Sequence, residues 1–279
     1  MQEKNNNLTQ EILKKVKQHK KYKSIADEIV VEEINKYLKS NPSEKINKEM
    51  IKSIRKQLHR LYSSYQTGKK TKREKYLEEL KTNKNNQELL NNLLSITIST
   101  KERLNQYPEL YKQIFKITGK PKTIVDLGSG LNPLSYPLMK IKTLNYYAYD
   151  IDEEDMKFLN KYFKIMKQQG LNGKAEIINL RKLENNSKLK NLPESDIILL
   201  LKVIDLIDEK KKNISEELIK QLIKKTKYIV ASFATKTLTR KPMKLPRRQG
   251  FEKMLERNNL KAQTIKTDNE IFYMISESL

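Results

Sequence analysis

Cysteine is absent from the 279-residue chain. No disulfide framework can therefore staple the fold, no thiolate can hold a metal, and no thiol can act as a nucleophile. Histidine is nearly as scarce: His19 and His59 stand far apart in the sequence and form no metal cluster. Long apolar runs are missing as well. No stretch approaches the roughly 18 apolar residues of a membrane-spanning helix, and the N-terminal MQEKNNNLTQ lacks the apolar centre of a secretion signal. A soluble cytoplasmic protein with no metal and no membrane contact is expected. Glycines number only 7, which argues against flexible linkers and makes each one worth reading. The length suits one large domain or two modest ones.

Positive charge is what the chain has in excess. Lys and Arg number 57 against 34 Asp and Glu, a formal net charge of +23. Such a surface attracts a polyanion, because each phosphate neutralised by a cation releases condensed counterions. A general lysine and asparagine bias of the source's proteins is the competing explanation. The excess is spread along the chain: residues 1–119 hold 26 basic and 14 acidic side chains.

Residues 1 to about 118 carry helical spacing throughout. Ile25, Ile29, Val30, Ile34 and Leu38 recur at three and four. Asn41-Pro42 breaks that helix, and Ser43 with Glu44 suits the start of another. Ile46, Met50, Ile54, Leu58, Leu61 and Tyr65 mark one face of this next helix. Gly68 and the lysine-rich GKKTKREK punctuate it, and further helices are expected over about 72–82, 86–96 and 101–117. Gly119-Lys120-Pro121 then marks a domain boundary, separating an all-helical N-terminal domain, 1–119, from a second domain, 120–279. Beyond it, short β-branched or aromatic runs alternate with amphipathic helices: TIVDL, LNYYAYD, AEIINL, DIILLL, YIVASF, KAQTIKT and IFYMIS. Strands separated by helices predict an α/β domain with a largely parallel sheet covered on both faces. The last two runs, joined through Asp268-Asn269, read as an antiparallel hairpin. Seven strands closed in this way suit a Rossmann-like methyltransferase sheet better than a dinucleotide dehydrogenase.

The first strand runs into Asp126-Leu-Gly128-Ser-Gly130-Leu-Asn-Pro133. A dinucleotide fingerprint needs a third glycine at 133, where close helix–strand packing demands it, and a proline stands there. An acid two residues before the first of two glycines matches the D-x-G-x-G pattern of S-adenosylmethionine binding. That cofactor has no pyrophosphate to cradle. Gly128 and Gly130 would let the backbone approach its sulfonium and methionine portion, and Asp126 would hold polar groups at the turn with a charge that suits a cation. A plain β-to-α turn is the competing reading. Asp150 ends the second strand, where a carboxylate can accept from ribose hydroxyls. Its neighbour Asp152 suits the N-cap of the helix EEDMKFLNKYF. Asn179 and Leu180 follow the third strand, either where an adenine ring would lie or in an ordinary loop.

The reacting methyl belongs near the end of the fourth strand. Enzymes that methylate exocyclic amines place an Asn or Asp there, followed by two prolines and an aromatic. This chain has Leu200-Leu201-Lys202-Val203, so an acceptor for a departing amine proton is missing. A ring nitrogen such as guanine N7 offers a lone pair and carries no proton. Transfer to it is an in-line displacement that needs positioning and electrostatics rather than a general base. Lys202 would orient the target or meet a phosphate, or else simply snorkel from a strand end.

Four segments together resemble a known family, the aminoglycoside-resistance 16S rRNA guanine-N7 methyltransferases (the Arm, Rmt and FmrO group). They are LHRLYSSYQ (58–66), STKERL (99–104), DLGSGLNPL with YDID, and SFATKTLTRKPM (232–243). The resemblance covers about residues 55 to 275. It implies a class I S-adenosylmethionine-dependent methyltransferase acting on 16S rRNA within the small ribosomal subunit, with a monomer expected. It also implies that Arg103 grips the carboxylate of the cofactor's methionine portion, a match for a bidentate guanidinium. Tyr65, Ser99 and Thr100 would line the same pocket, while Lys202, Lys236, Arg240 and Met243 would face the target nucleotide. Two positions depart from the family: Thr97 stands where a His is frequent, and Ala234 where a Pro is frequent. Methylation of another RNA site (adenosine N1, or tRNA) and a catalytically silent RNA-binding or ribosome-assembly protein are the alternatives. Intact Gly128, Gly130, Asp150 and Arg103 disfavour silence.

Two basic stretches would flank that pocket. The first holds Lys52, Arg55, Lys56, Arg60, Lys69, Lys70, Lys72, Arg73 and Lys75 against Glu74 alone; the second holds Lys236, Arg240, Lys241, Lys244, Arg247 and Arg248 with no acid. They suit a folded RNA recognised by shape and phosphate contacts, some of them serving only as solvated faces. A buried N7 requires distortion or flipping of its nucleotide. Tyr62 and Phe233 are the aromatic candidates to stack on it, with core packing the competing fate of Phe233.

Overall fold

The computed structural model describes the chain apart from residues 1, 43–44, 63–70, 85, 185, 209–213, 238–240, 242, 244–247 and 278–279. Its first part is helical: α1 (Gln2–Lys17), α2 (Asp27–Ser40), α3 (Lys48–Leu61), α4 (Arg73–Thr82), α5 (Gln87–Leu94), α6 (Ile98–Arg103) and α7 (Tyr107–Thr118). Asn47 caps α3, its side chain accepting from the Met50 amide at 2.8 Å, so the helix begins later than Ser43-Glu44. Met50, Ile54 and Leu58 then fall on one buried stripe; Ser43, Glu44 and Tyr65 lie outside the described residues. The single helix expected over 101–117 is two. Pro108 occupies the first turn of α7, where a missing N–H costs nothing but through which a preceding helix cannot continue.

The sheet has seven strands in the order β3-β2-β1-β4-β5-β7-β6. They are β1 (Thr123–Leu127), β2 (Leu144–Asp150), β3 (Leu171–Ile177), β4 (Ser195–Leu201), β5 (Thr226–Ala234), β6 (Leu260–Lys266) and β7 (Glu270–Glu277). β7 pairs antiparallel with β5 and with β6, closing the otherwise parallel sheet with the expected hairpin. β3 starts earlier than the AEIINL run and stops before Asn179, because Gly170 turns the chain at a left-handed φ of 89°. A Cβ there would lie 1.8 Å from the Lys142 carbonyl oxygen, so the register of β3 depends on a glycine. After β1 the later helices are α8 (Tyr136–Met139), α9 (Glu153–Met166), α10 (Ser187–Lys190), α11 (Ile204–Ile207), α12 (Ile214–Leu222) and α13 (Gln249–Arg257). Among the described residues no helix is long and apolar enough to cross a membrane.

Packing follows the two faces of the sheet, whose central strands are apolar on both sides. α4, α5, α7 and α9 share one apolar core with β1, β2 and β4, while α12 and α13 build another on the opposite face. The helices over 73–118 therefore belong to the core of the sheet. Gly119 marks where helix gives way to strand, whereas a separate, smaller core is formed by residues 12–62 of α1, α2 and α3.

Polar groups join that small core to the sheet. The Ala26 amide donates to the Ile151 carbonyl at 2.9 Å, and the Glu153 amide to the Ser24 carbonyl at 2.8 Å. Between them Asp152 is fully buried and accepts from the Ser24 hydroxyl at 2.6 Å and from the Tyr62 hydroxyl, while capping α9 through the Asp155 amide at 2.8 Å. Nearby, Arg181 pairs with Glu33 at 2.6 Å and reaches Glu32 at 3.6 Å. Removing one partner of a buried pair leaves the other charge uncompensated. Arg181→Ala is therefore expected to cost about 2–3 kcal/mol, read as a lower denaturation midpoint, with faster protease cleavage within residues 12–62.

Candidate active site

The sharp turn after β1 opens the site. Gly128 has a φ of 73°, and a Cβ on it would stand 2.6 Å from Cγ2 of Val203, past the end of β4. Only glycine lets the two strand ends come together here. The Gly128 and Ser129 amides donate to the Tyr149 carbonyl at 2.8 and 3.0 Å. Asp150 braces the turn from the neighbouring strand: one oxygen accepts from the Gly130 amide at 2.8 Å, the other from the Ile151 amide at 2.6 Å.

Around this turn lies a cleft of about 1050 Å³, its open mouth included. Its lining brings together Gly128, Gly130, Asp150, Asn179 and Leu180 from the sheet with Ser99 and Arg103 from α6, and Lys202 from beyond β4. Ile29, Leu61 and Tyr62 close it from α2 and the end of α3. Residues not expected at the site also reach it, among them Asp155, Arg181 and the apolar Ile178, Leu206 and Ile207. No sequence signal pointed to Asp155 or Arg181, because each is placed by contacts between distant parts of the chain. Asn179 is held by the other unit: its amide donates to Glu32 of α2 at 2.7 Å, and its oxygen accepts from the Arg181 amide at 3.0 Å.

Arg103 is the most constrained charge of the site. It is 2% exposed, and its Nε and Nη2 donate to the two carboxylate oxygens of Glu270, itself 0% exposed, at 2.9 and 2.7 Å. Burial would lower its pKa, but Glu270 and the Tyr107 hydroxyl hold it above the ordinary guanidinium range. Burial likewise pushes Glu270 up, and Arg103 and Lys202 outweigh it, keeping the carboxylate below its ordinary range. The ammonium of Lys202 joins this group, 2.8 Å from Glu102 and 3.4 Å from Glu270, and the Ser232 hydroxyl donates to Glu270 as well. Lys202 has a φ of 58°, a left-handed backbone that a lysine adopts only under constraint. Its amide supplies that constraint by donating to the carbonyl and hydroxyl of Ser232, at 3.1 and 3.0 Å. Lys202 is thus anchored, not snorkelling. Glu270 carried one faint sequence mark, an acid opening an otherwise apolar strand.

Several residues are placed elsewhere than expected. Asp126 does not line the cleft. It is fully buried behind the turn, where one oxygen accepts from Asn132 at 2.9 Å and from Tyr146 at 2.6 Å. Thr100 is buried too, bonded to the Thr97 hydroxyl at 2.7 Å and the Leu94 carbonyl at 2.5 Å. Lys236 and Met243 are half-buried beyond the cleft lining, and Tyr65 and Arg240 lie outside the described residues. Phe233 packs edge-on against Phe251 and Tyr273 in the core and so has no face for a nucleotide. Tyr62 lines the cleft with its hydroxyl committed to Asp152.

The basic stretches divide into residues held by the fold and residues exposed on it. Arg73 is buried against Asp155 at 2.7 Å and Glu154 at 3.1 Å, over the Phe158 ring. Arg55 donates to the Lys15 and Val16 carbonyls at the end of α1, at 2.6 and 3.3 Å. Arg248 lies over Phe233 and pairs with Asp205 at 2.8 Å. These three stabilise the fold. Lys52, Lys56, Arg60, Lys72 and Lys241 are exposed; Lys69, Lys70, Lys244 and Arg247 lie outside the described residues. Lys52 and Lys56 share an open groove with Lys15, Lys48, His19 and His59.

One group recurs in comparisons with known proteins. A family model described as ribosomal RNA methyltransferase (FmrO) matches residues 18–274. A 16S rRNA (guanine(1405)-N(7))-methyltransferase of Proteus mirabilis is 27% identical over 297 residues, spanning 98% of each chain. One of the same description from Micromonospora echinospora is 30% identical over 192 residues, 67% of this chain and 66% of that one. Among solved structures, the 16S rRNA methyltransferase RmtF with S-adenosyl-L-homocysteine superposes with a TM-score of 0.77 at 21% identity, over 97% of this chain and 98% of its own. The 16S rRNA methylase ArmA gives 0.55 at 25% identity, over 74% and 98%.

Burial moves the Asp126 carboxyl from its ordinary 3.8 to about 6, against the Tyr146 and Asn132 hydrogen bonds. A carboxyl whose folded pKa is raised stabilises the fold fully below about 4 and loses that contribution as pH rises through about 6. Asp126→Asn is isosteric, stays neutral, and keeps an oxygen for both donors. The variant is expected to gain on the parent by up to about 3 kcal/mol between pH 4 and 7, measured as the difference in Tm across that range. Burial and the neighbouring Asp155 push Asp152 to about 8, so both proteins should still lose stability toward pH 8.

Proposed function

The chain belongs to the FmrO family of ribosomal RNA methyltransferases, and from that premise we propose that it methylates N7 of a decoding-site guanosine of 16S rRNA. The reading follows its relatives, described as 16S rRNA (guanine(1405)-N(7))-methyltransferases, and extends to assembled small subunits as substrate and to a role in aminoglycoside resistance. S-adenosylmethionine supplies the electrophilic methyl, on a sulfonium.

The residues present fit that cofactor. Gly128 tolerates no side chain, which lets the turn and Val203 pack together at the edge of the cleft. Arg103 commits Nε and Nη2 to Glu270, and the remaining donors of the guanidinium serve a carboxylate arriving in the cleft. Asp150 reaches the cleft for a ribose, and the Asn179–Leu180 backbone and side chains border it for an adenine.

One observation carries the choice of a ring nitrogen. The cleft wall after β4 is Leu201, Lys202 and Val203, and the one polar side chain there is a lysine whose ammonium is held by Glu102 and Glu270. A cation cannot take a proton from an amine. It leaves uncontested an acceptor that has a lone pair and no proton to lose, and catalysis then lies in alignment of the two reactants. Docking falls to exposed lysines such as Lys52 and Lys56, which fit phosphates rather than bases.

The test is methyl transfer from radiolabelled S-adenosylmethionine to small subunits, naked 16S rRNA and tRNA side by side. Label on the subunit is expected, with chain scission at a single guanosine after reduction and aniline; label on tRNA alone would overturn the reading. The double variant Lys52→Glu/Lys56→Glu is expected to raise KM for subunits about tenfold or more at moderate salt, with cofactor affinity unchanged by calorimetry.

A further inference from the structure

Four charges of alternating sign run outward along one wall of the cleft. Arg103 pairs with Glu270, Glu270 with Lys202, and Lys202 with Glu102. The inner three hold one another in place. Glu102, at the outer end, is half-buried, its side chain 26% exposed. Its Oε2 accepts from the Lys202 ammonium at 2.8 Å. Among the described residues nothing donates to its other oxygen, Oε1. Glu102 and Glu270 account for two of the three ammonium hydrogens of Lys202, and among the described residues nothing takes the third.

The helix explains why a carboxylate stands there. Ser99, Glu102 and Arg103 are spaced i, i+3 and i+4 on α6 and so share one face of it. Ser99 and Arg103 line the cleft, as does Lys202, while Glu102 sits just off the lining beside the ammonium. Lys202 cannot swing away, because its amide is fixed by Ser232 and its head by two carboxylates. Passing outward from the cleft, a ligand meets a donor first and an acceptor next. The edge of guanine carries the complement in the same order: beyond N7 come O6, an acceptor, and then N1–H, a donor. Adenine reverses both, with an amino group at C6 and a bare N1.

We propose that Lys202 and Glu102 read the target base as guanine, the ammonium donating to O6 and Oε1 of Glu102 accepting from N1–H while N7 faces the methyl group. This deepens the proposed guanosine methylation and rests on it. In the transfer the N7 lone pair forms the bond to the methyl carbon, and the carbon–sulfur electron pair leaves with sulfur. The positive charge passes from the sulfonium to the purine ring, and no proton leaves the base. A cationic ring makes N1–H a stronger donor, so its bond to the carboxylate tightens as the reaction proceeds. Glu102 therefore acts on kcat as well as on the choice of base.

The experiment uses small subunits reconstituted with guanosine or 2,6-diaminopurine riboside at the target position. The analogue keeps N7 and the amino group at C2, and inverts only the two groups that the pair reads. The parent is expected to favour guanosine by about 100-fold in kcat/KM. In Glu102→Gln the carboxamide oxygen stays with Lys202 and its N–H meets N1–H, so the ratio should narrow to about tenfold or less. Tm and affinity for S-adenosylhomocysteine should stay at the parent's values. Glu102→Ala should narrow the ratio likewise, and should lower kcat more than it raises KM for subunits. A mere counter-ion to Lys202 would slow both substrates equally and leave the ratio unchanged; that result overturns the proposal while guanosine methylation stands. A parent that methylates both subunits equally well overturns it too, with no variant needed. If the parent labels neither subunit, the functional reading fails and the proposal falls with it.

Discussion

A guanidinium sealed from water must be surrounded by acceptors, and much of the site follows from that demand at Arg103. An isolated charge in the interior is too costly to persist. Glu270 meets the demand with both carboxylate oxygens, but a buried carboxylate so placed needs further donors in turn. The Ser232 hydroxyl and the Lys202 ammonium provide them. Lys202 is brought there by a left-handed backbone, itself held by Ser232. The ends of β4 and β5, the start of β7 and the end of α6 are thus bound to one charge. The two strand ends facing the cleft have little freedom to move apart.

A second constraint shapes the cleft from the helical side. The small unit of α1, α2 and α3 has its own core, yet its residues Ile29, Leu61 and Tyr62 form part of the cleft wall. Tyr62 is fixed by the buried Asp152, and Glu32 holds the amide of Asn179. Movement of this unit would therefore alter the end of the cleft assigned to the adenine. A ligand that displaced this unit would change occupancy of the cleft through these few polar bonds, and thermodynamic linkage would make that effect reciprocal.

Much of this architecture was legible in the sequence, for a simple reason. The largely parallel sheet and the closing hairpin follow from β-branched runs separated by helical spacing, and the glycine turn declares itself through two glycines and a misplaced proline. Gly128, Gly130, Asp150, Asn179 and Leu180 come together because each ends or follows a parallel strand on the same edge. Illegible were the partners that tertiary contact alone supplies. Glu270 lies 167 residues from Arg103, and no spacing rule connects them. Asp126 does hold a polar group of the loop that continues the turn, Asn132, but from behind the cleft. An acid beside a glycine turn invites a ligand, but the strand alternation turns its side chain away from the cleft, toward Tyr146 and Asn132. The break between α6 and α7 has its sequence mark in Pro108, which sits in the first turn of α7.

The fate of the basic residues follows from the shape of their side chains. Arg55, Arg73 and Arg248 each use a planar fork to satisfy several acceptors or to lie flat on a ring, which is what a protein needs at helix ends and between elements. A lysine offers one compact charge on a flexible stem that keeps its head in water. The exposed positions are accordingly dominated by lysine: Lys52, Lys56, Lys72 and Lys241. A surface built this way meets phosphates without demanding a fixed geometry from them, so it contributes attraction that salt weakens rather than base selectivity. On the proposed reading, selection of one guanosine would come from shape, from how the helical unit and the cleft mouth together fit a folded RNA surface. Its recognition would fail on a short oligonucleotide that carries the right base and lacks that surface.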